Sequence, residues 1–255
     1  IGPLTRSVED AARIFAVIAG ADPRDATTPD IAVPKPAAAK APVAGMTVGV
    51  PDAYYGENID PDVARAVDDM IATLKSLKVK IKRVSLPNQI RINAACQVVI
   101  GAETTAIHKP MLIASPEKYG RQVYNRLQNG LGYTAVEYVE AMRFRSFALG
   151  EHLAATRGCD AILVPTCPMP APTIEETDIR GGSNAEQVIQ RITWFTRPAN
   201  FLGLPALTVP SGFSESGLPI GLQFVGAPFA EGSLLALGGA AQRVTDYHLR
   251  VPPLE

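Results

Sequence analysis

No apolar run in the chain approaches the roughly 20 residues that a membrane-spanning helix needs, so no membrane partner is expected. An excess of charge is missing too: 24 Lys and Arg stand against 25 Asp and Glu, a formal net charge of −1. The nearest approach to a basic cluster, Lys78-Val-Lys-Ile-Lys-Arg83, alternates as one solvated face of a strand does, and no nucleic-acid partner is expected. Histidine is scarce, and Cys96, Cys159 and Cys167 are odd in number and lack metal-ligand spacing. They read as reduced thiols of a cytoplasmic protein, with no metal site. No signal peptide is visible, although the chain opens inside a motif. What is abundant is apolar material, 47% of 255 residues, enough for one large core or two modest ones.

Helix starts are written clearly. Ser7 can cap with Asp10 three residues on, ahead of an apolar stripe at Val8, Ala11, Ala12, Phe15 and Ile18. Residues 22–45, rich in Asp, Thr, Pro and Ala, predict a surface connection with polyproline character inside a single domain spanning 1–255. Met46 to Val50 predicts a buried strand; Asp60-Pro61 predicts a capped helix with buried Val63, Val67, Met70, Ile71, Leu74 and Leu77; Val79 to Val84 predicts a second strand. Strand, helix and strand so close together form a βαβ unit, parallel by default. The stretch from Gln89 to Arg157 predicts helices, among them one with a Thr134/Glu137 capping box and a stripe through Val136, Val139, Met142, Phe147 and Leu149. Asp160 to Pro168 predicts a buried strand ending in a proline-rich corner, and Gly232 to Val244 a last helix.

The most specific stretch is Ile192–Gly226, ITWFTRPANFLGLPALTVPSGFSESGLPIGLQFVG. A short helix stopped by Gly203-Leu-Pro205 delivers the chain into one strand, a turn-rich loop follows, and Ile220 to Val225 returns as another strand. The string resembles the hallmark of the amidase-signature family, F-T-x-P-x-N-x-x-G-L-P-A-x-x-V-P-x-G followed by G-L-P-x-G-L-Q-x-x-G. The resemblance extends to Ile1-Gly-Pro-Leu-Thr-Arg-Ser-Val-Glu-Asp-Ala-Ala12, to Tyr119-Gly-Arg-Gln-Val-Tyr-Asn-Arg-Leu-Gln-Asn-Gly130 and to Asp160-Ala-Ile-Leu-Val-Pro-Thr-Cys-Pro168. It covers nearly the whole chain, as the family's C-terminal half.

That resemblance implies an α/β fold, a mixed, largely parallel sheet flanked by helices and incomplete without an N-terminal half. It implies hydrolysis of a carboxylic amide C–N bond by a Ser–cis-Ser–Lys triad, with glycine-rich backbone N–H groups holding the oxyanion. No organic or metal cofactor is implied. The triad segment of the family precedes the part that matches Ile1, so none of its residues carries over and the chain alone is expected to be inactive. An open sheet edge is expected to be covered by the N-terminal half or by self-association.

Within these residues His108, His152 and His248 have no partnering Ser-Asp pattern, and Gly212-Phe-Ser-Glu-Ser216 is no nucleophile elbow. Arg180-Gly-Gly-Ser-Asn184 looks like part of a glycine- and serine-rich catalytic motif, but stands in the wrong place and lacks the second serine. The resemblance places Thr193, Trp194, Phe195 and Thr196 near a small-molecule amide substrate; packing of Trp194 and Phe195 onto the sheet is the other reading. Arg126 falls on the family's R-L-x-x-G arginine, for a substrate carboxylate or a structural ion pair. Cys167 and Met169, past the carboxyl end of a strand, are expected at a pocket rim. In a related branch, the glutamyl-tRNA amidotransferases, the A component carries an aspartate before F-T where this chain has Thr193-Trp194. That departure favours a free-standing amidase with a less polar substrate; an amidotransferase fragment and a non-catalytic α/β binding module are the alternatives.

Overall fold

The computed structural model describes residues 2–178 and 184–252, and the chain divides into two compact units. Unit 1 comprises residues 1–85, 156–171 and 204–255; unit 2 comprises residues 86–155 and 172–203. The Arg180–Ser183 part of the glycine- and serine-rich string lies outside the described residues.

Unit 1 is built on a five-stranded mixed sheet in the order β2-β1-β3-β5-β4, with β1 Thr47–Pro51, β2 Lys80–Val84, β3 Ala161–Pro165, β4 Ala206–Phe213 and β5 Pro219–Val225. β1 pairs parallel with both β2 and β3, whereas β5 pairs antiparallel with β3 and β4. β2, β1, β3 and β4 therefore share one direction and β5 alone opposes them, as a mixed and largely parallel sheet should. Every residue of β3 is buried, which fits its unbroken apolar sequence at the sheet centre.

Three helices cover one face of this sheet. α1, Val8–Ile18, starts where Ser7 Oγ accepts from the Asp10 N–H; it buries Val8, Ala11 and Ala12 but leaves Ile18 half exposed. α2, Pro61–Ser76, is capped by Asp60 with Pro61 at its first position, and buries Val63, Ala66, Met70 and Leu74. α9, Glu231–Val244, is buried on nearly all sides from Leu234 to Ala241. Val8, Ala12, Met70, Leu74 and Leu234 to Leu237 join Val48, Val50, Leu163, Val209, Leu222 and Phe224 in one core, and Val63 and Ala66 pack with Ile220 in a smaller cluster. The βαβ unit read from residues 46–84 is present with its parallel pair.

Residues 22–45 do more than connect. They contain a 3-10 turn, Pro36–Lys40, and Ala39 and Val43 are buried in the same core. Gly239 makes this possible: a Cβ there would fall onto the Ala39 carbonyl, so the turn rests on the α9 backbone itself. That carbonyl also accepts from Arg243 Nη1 at 2.7 Å.

Unit 2 is helical. α3 is Gln89–Ala114, α4 Arg121–Asn129, α5 Ala135–Ala155, α6 Ile174–Thr177, α7 Ala185–Ile192 and α8 Arg197–Leu202. The capping box before α5 is formed, with Thr134 Oγ1 accepting from the Glu137 N–H and Glu137 Oε2 accepting from the Thr134 N–H. The buried face of α5 is Ala141, Phe144, Ala148 and His152, not the predicted stripe; Val136, Val139 and Phe147 are exposed. α5 packs against α3 and α8, with Phe144 and Phe201 rings 6.3 Å apart and the Arg91 guanidinium 4.1 Å over Phe144. α8 ends at Gly203, whose φ of 71° supplies the left-handed stop before Pro205.

Candidate functional site

Unit 2 carries an open cavity of about 500 Å³ with a mixed polar and apolar lining that includes Gln97, His108, Arg126, Gln190, Thr193 and Arg197. α3 supplies one wall and α4 another. They are tied by Thr105 Oγ1, which donates to the Leu127 carbonyl at 2.6 Å, so the Arg126 backbone is set against α3. The Arg126 side chain is exposed at the mouth. His108 lines the same cavity with Nδ1 2.9 Å from the Tyr119 hydroxyl.

The third wall is α7 with Thr193 and Arg197 beyond it, and its organiser is Arg197. Only 7% of Arg197 is exposed, a costly position for a guanidinium unless its donors are met. Nη1 donates to Asn93 Oδ1 at 2.8 Å; Nη2 donates to Thr193 Oγ1 at 2.7 Å and to the Gln190 carbonyl at 3.1 Å. With its carboxamide oxygen turned to the guanidinium, Gln97 accepts from Nη1 at 2.8 Å and Nη2 at 2.9 Å. Asn93 Nδ2 in turn donates to the Trp194 carbonyl at 2.7 Å. One cation thus fixes the C-terminal end of α7, the start of α8 and the N-terminal third of α3.

The cavity brings together two of the residues expected from sequence, Thr193 and Arg126. Trp194 is half-buried outside this lining, its ring centroid 5.8 Å from Arg197 Cζ. Phe195 is 1% exposed and packs in the unit 2 core. Thr196 precedes α8 and donates from Oγ1 to the Thr193 carbonyl at 3.1 Å. Cys167 and Met169 belong to unit 1, half-buried past the end of β3, where the Pro168 carbonyl accepts from the Asp60 N–H at 2.8 Å. Burial pushes the Cys167 thiol up, away from the thiolate that a nucleophile would need. Burial likewise pushes Cys96, against Arg197 in unit 2, up to about 11.

Sequence reading missed Gln97, Asn93 and Gln190. Arg197 carried a signal, its place within Phe195-Thr-Arg-Pro198, but the glutamines and Asn93 lie on helices with no local pattern to mark them. Among the described residues no group of His, Cys, Asp and Glu is arranged to hold a metal ion, and no helix is long and apolar enough to cross a membrane.

A family model described as Amidase matches residues 1–235. Across 281 aligned residues the chain is 35% identical to the A component of a glutamyl-tRNA(Gln) amidotransferase from Geobacter sp. (strain M21), a match that covers 100% of this chain and 56% of the relative. The Myxococcus xanthus counterpart is 32% identical over 99% of this chain and 56% of its own length. Among solved structures, an amidase is 30% identical with a TM-score of 0.77, over 95% of this chain and 52% of that one. The A component of the Thermotoga maritima glutamyl-tRNA(Gln) amidotransferase is 29% identical with a TM-score of 0.74, over 96% of this chain and 53% of that one. The chain spans about half the length of the relatives it matches.

Proposed function

Since the chain belongs to the amidase family, we propose that it forms the C-terminal part of an amidase, cleaving a carboxylic amide C–N bond to the acid and ammonia or an amine. The reaction proposed is the Ser–cis-Ser–Lys one. A lysine, acting through a bridging serine, takes the proton of a nucleophilic serine; the serine forms an acyl-enzyme as the amine leaves, and water releases the acid. The three groups are assigned to chain outside these 255 residues, so the chain alone turns nothing over. A cytoplasmic location goes with this reading.

The observation that carries the proposal is the family match over residues 1–235, supported by the cavity of unit 2. In that cavity Thr193, held by Arg197, and the exposed Arg126 are the substrate-binding groups, with Arg126 offered to a carboxylate. Trp194, Phe195 and Thr196 complete the assignment in unit 2, and Cys167 and Met169 are proposed, from their place past the end of β3, as a pocket rim of unit 1. The reaction needs side chains and water and no cofactor.

A second reading, part of the A component of an amidotransferase, is favoured by the 35% identity to the Geobacter sp. relative. Two ammonia-release assays separate the possibilities. The 255-residue chain should release no ammonia from simple aliphatic or aryl amides, and the whole gene product should. Turnover by the chain alone that vanishes on Ser183→Ala would refute the triad assignment. Glutamine hydrolysis that appears only with the partner proteins of an amidotransferase would transfer the protein to the second reading.

A further inference from the structure

The α3 wall of the unit 2 cavity is a single helix face. Gln97, Ile100, Gly101, Thr104 and His108 recur along it at helical spacing. At ~1.5 Å per residue the face runs about 16 Å from Gln97 to His108. α4 lies antiparallel beside it, because Thr105 Oγ1 holds the Leu127 carbonyl near the end of α4 while His108 Nδ1 stands 2.9 Å from the hydroxyl of Tyr119, just ahead of α4. The cavity is therefore a trench. Gln97 and the Arg197 network stand at one end and His108 at the other. Between them Ile100 and Val123, 40% and 50% exposed, offer apolar surface for a bound chain to cover.

His108 is placed to meet the far end of such a chain. Tyr119 sets its ring, through the Nδ1 contact and through edge-on packing with ring centroids 5.8 Å apart. With the Tyr119 hydroxyl donating to Nδ1, the ring proton is on Nε2, which has no hydrogen-bond partner among the described residues. The threonine hydroxyls of the lining are already committed to carbonyls, Thr104 Oγ1 to Ile100 at 2.5 Å and Thr193 Oγ1 to Gln190 at 3.3 Å, so His108 has no nucleophile to activate here. What it offers is a donor. Arg126 on α4 brings a cation to the same trench, while Glu186, a carboxylate of the lining, stands on α7 and so keeps an anionic group to the α3 and α4 side.

We propose that His108 sets the end-group and chain-length specificity of the substrate site: with its ring held by Tyr119, it donates from Nε2 to the terminal carboxylate of an elongated amide. The apolar middle of that substrate lies along Ile100 and Val123, and its amide lies toward Thr193. The substrate class is the monoamide of a straight dicarboxylic acid. A methyl-ended chain would cover the apolar walls but leave the Nε2 donor and Arg126 unmet. This proposal rests on the reading of the chain as part of an amidase whose substrate occupies the unit 2 cavity.

The test uses the whole gene product and a series of ω-carboxyalkanamides, each beside the methyl-ended alkanamide of equal length. The acid-ended member should be preferred in kcat/KM by roughly tenfold, and only in chains long enough to reach His108. His108→Phe keeps a ring but removes the donor, so that preference should fall about tenfold through KM, with kcat within about twofold. His108→Gln, which returns an N–H near the place of Nε2, should recover part of it, and Tyr119→Phe, which stacks but no longer fixes the tautomer, should lose about threefold. If His108→Phe does not fold, the chain-length series and Tyr119→Phe decide. A preference already complete in the shortest chains, a loss shared equally by methyl-ended amides, or a preference unmoved by Tyr119→Phe and His108→Phe would each overturn it. Calorimetric binding of octanedioate needs no turnover. Binding that weakens about tenfold in His108→Phe, in a protein that hydrolyses no amide, sinks the enzyme reading and spares His108; hydrolysis with octanedioate affinity unmoved sinks His108 and spares the enzyme.

Discussion

Asn93 and Arg197 share a buried hydrogen bond of 2.8 Å across 104 residues of sequence, and the other end of the Asn93 carboxamide holds the Trp194 carbonyl at 2.7 Å. The pair ties the turn that presents Thr193 to the N-terminal part of a long helix. Arg197→Lys keeps the charge but loses the planar fork that serves Asn93, Thr193, Gln97 and Gln190 together. Arg197→Ala leaves those acceptors unmet in a buried place. Hydrogen bonds to charged groups contribute roughly 1.5–3 kcal/mol, so Arg197→Ala is expected to cost about 3 kcal/mol and Arg197→Lys about half of that. Urea denaturation followed by tryptophan fluorescence reads this directly, since Trp194 is the only tryptophan. A midpoint unchanged in Arg197→Ala would show that the network stabilises nothing.

Arg126 lines the cavity of unit 2 and is exposed at its mouth. If it meets a substrate carboxylate in ground and transition states alike, its removal weakens uniform binding. In the whole gene product, Arg126→Ala should raise KM about tenfold, or about 1.4 kcal/mol, with kcat within about twofold. Arg126→Lys should recover part of the loss. A fall in kcat at constant KM would remove Arg126 from substrate binding.

Local chemistry made the element boundaries legible. Ser7 with Asp10, Asp60 with Pro61 and Thr134 with Glu137 each write a helix start within four residues, and all three are used as written. Gly203 with Pro205 marked the stop before β4 for the same reason, a backbone demand that few residues meet. Burial was harder to read. On α5 the large apolar residues Val136, Val139 and Phe147 suggested the inner face, but close packing on α3 selects Ala141 and Ala148, small enough to let the helices approach. Ala39, inside a proline-rich stretch, is core because Gly239 lies 200 residues later. Of the residues that line the unit 2 cavity, Arg126 and Thr193 were legible because they sit in or beside motifs; Gln97 reaches it, and Asn93 reaches Arg197, by tertiary contact alone.

The Ala39 turn provides a clean test of packing. In Gly239→Ala the new methyl meets backbone, the Ala39 carbonyl, and not the tip of a side chain that could swing aside. Ala39 is 2% exposed, and Arg243 holds the same carbonyl, so the turn has nowhere to retreat without losing that bond. Overpacking of this kind costs roughly 1–3 kcal/mol, and the rigid backbone places Gly239→Ala at about 3 kcal/mol. Helix propensity works the other way, favouring Ala over Gly by about 1 kcal/mol. Net destabilisation of about 2 kcal/mol is expected in thermal or urea unfolding. Net stabilisation would mean that the 3-10 turn is not docked on α9.

Acid should destabilise unit 2 through His152. This side chain is buried on the inner face of α5, and desolvation pushes its pKa down to about 4 from an ordinary value near 6.5. The folded state keeps the imidazole neutral where the unfolded chain already binds a proton, so stability falls as the pH is lowered through the window between those two values. The contribution is present in full above pH ~6.5 and is lost progressively on the way to pH ~4, a drop of about 3 kcal/mol by linkage. Below that window the folded form is protonated too and the slope from this group ends. His152→Leu removes the titrating group, so its stability should be flatter between pH 6.5 and 4 than that of the parent, whatever the substitution does at neutral pH. Urea midpoints across that range check the sign and the window together. Parallel curves for the two proteins would place the acid sensitivity elsewhere.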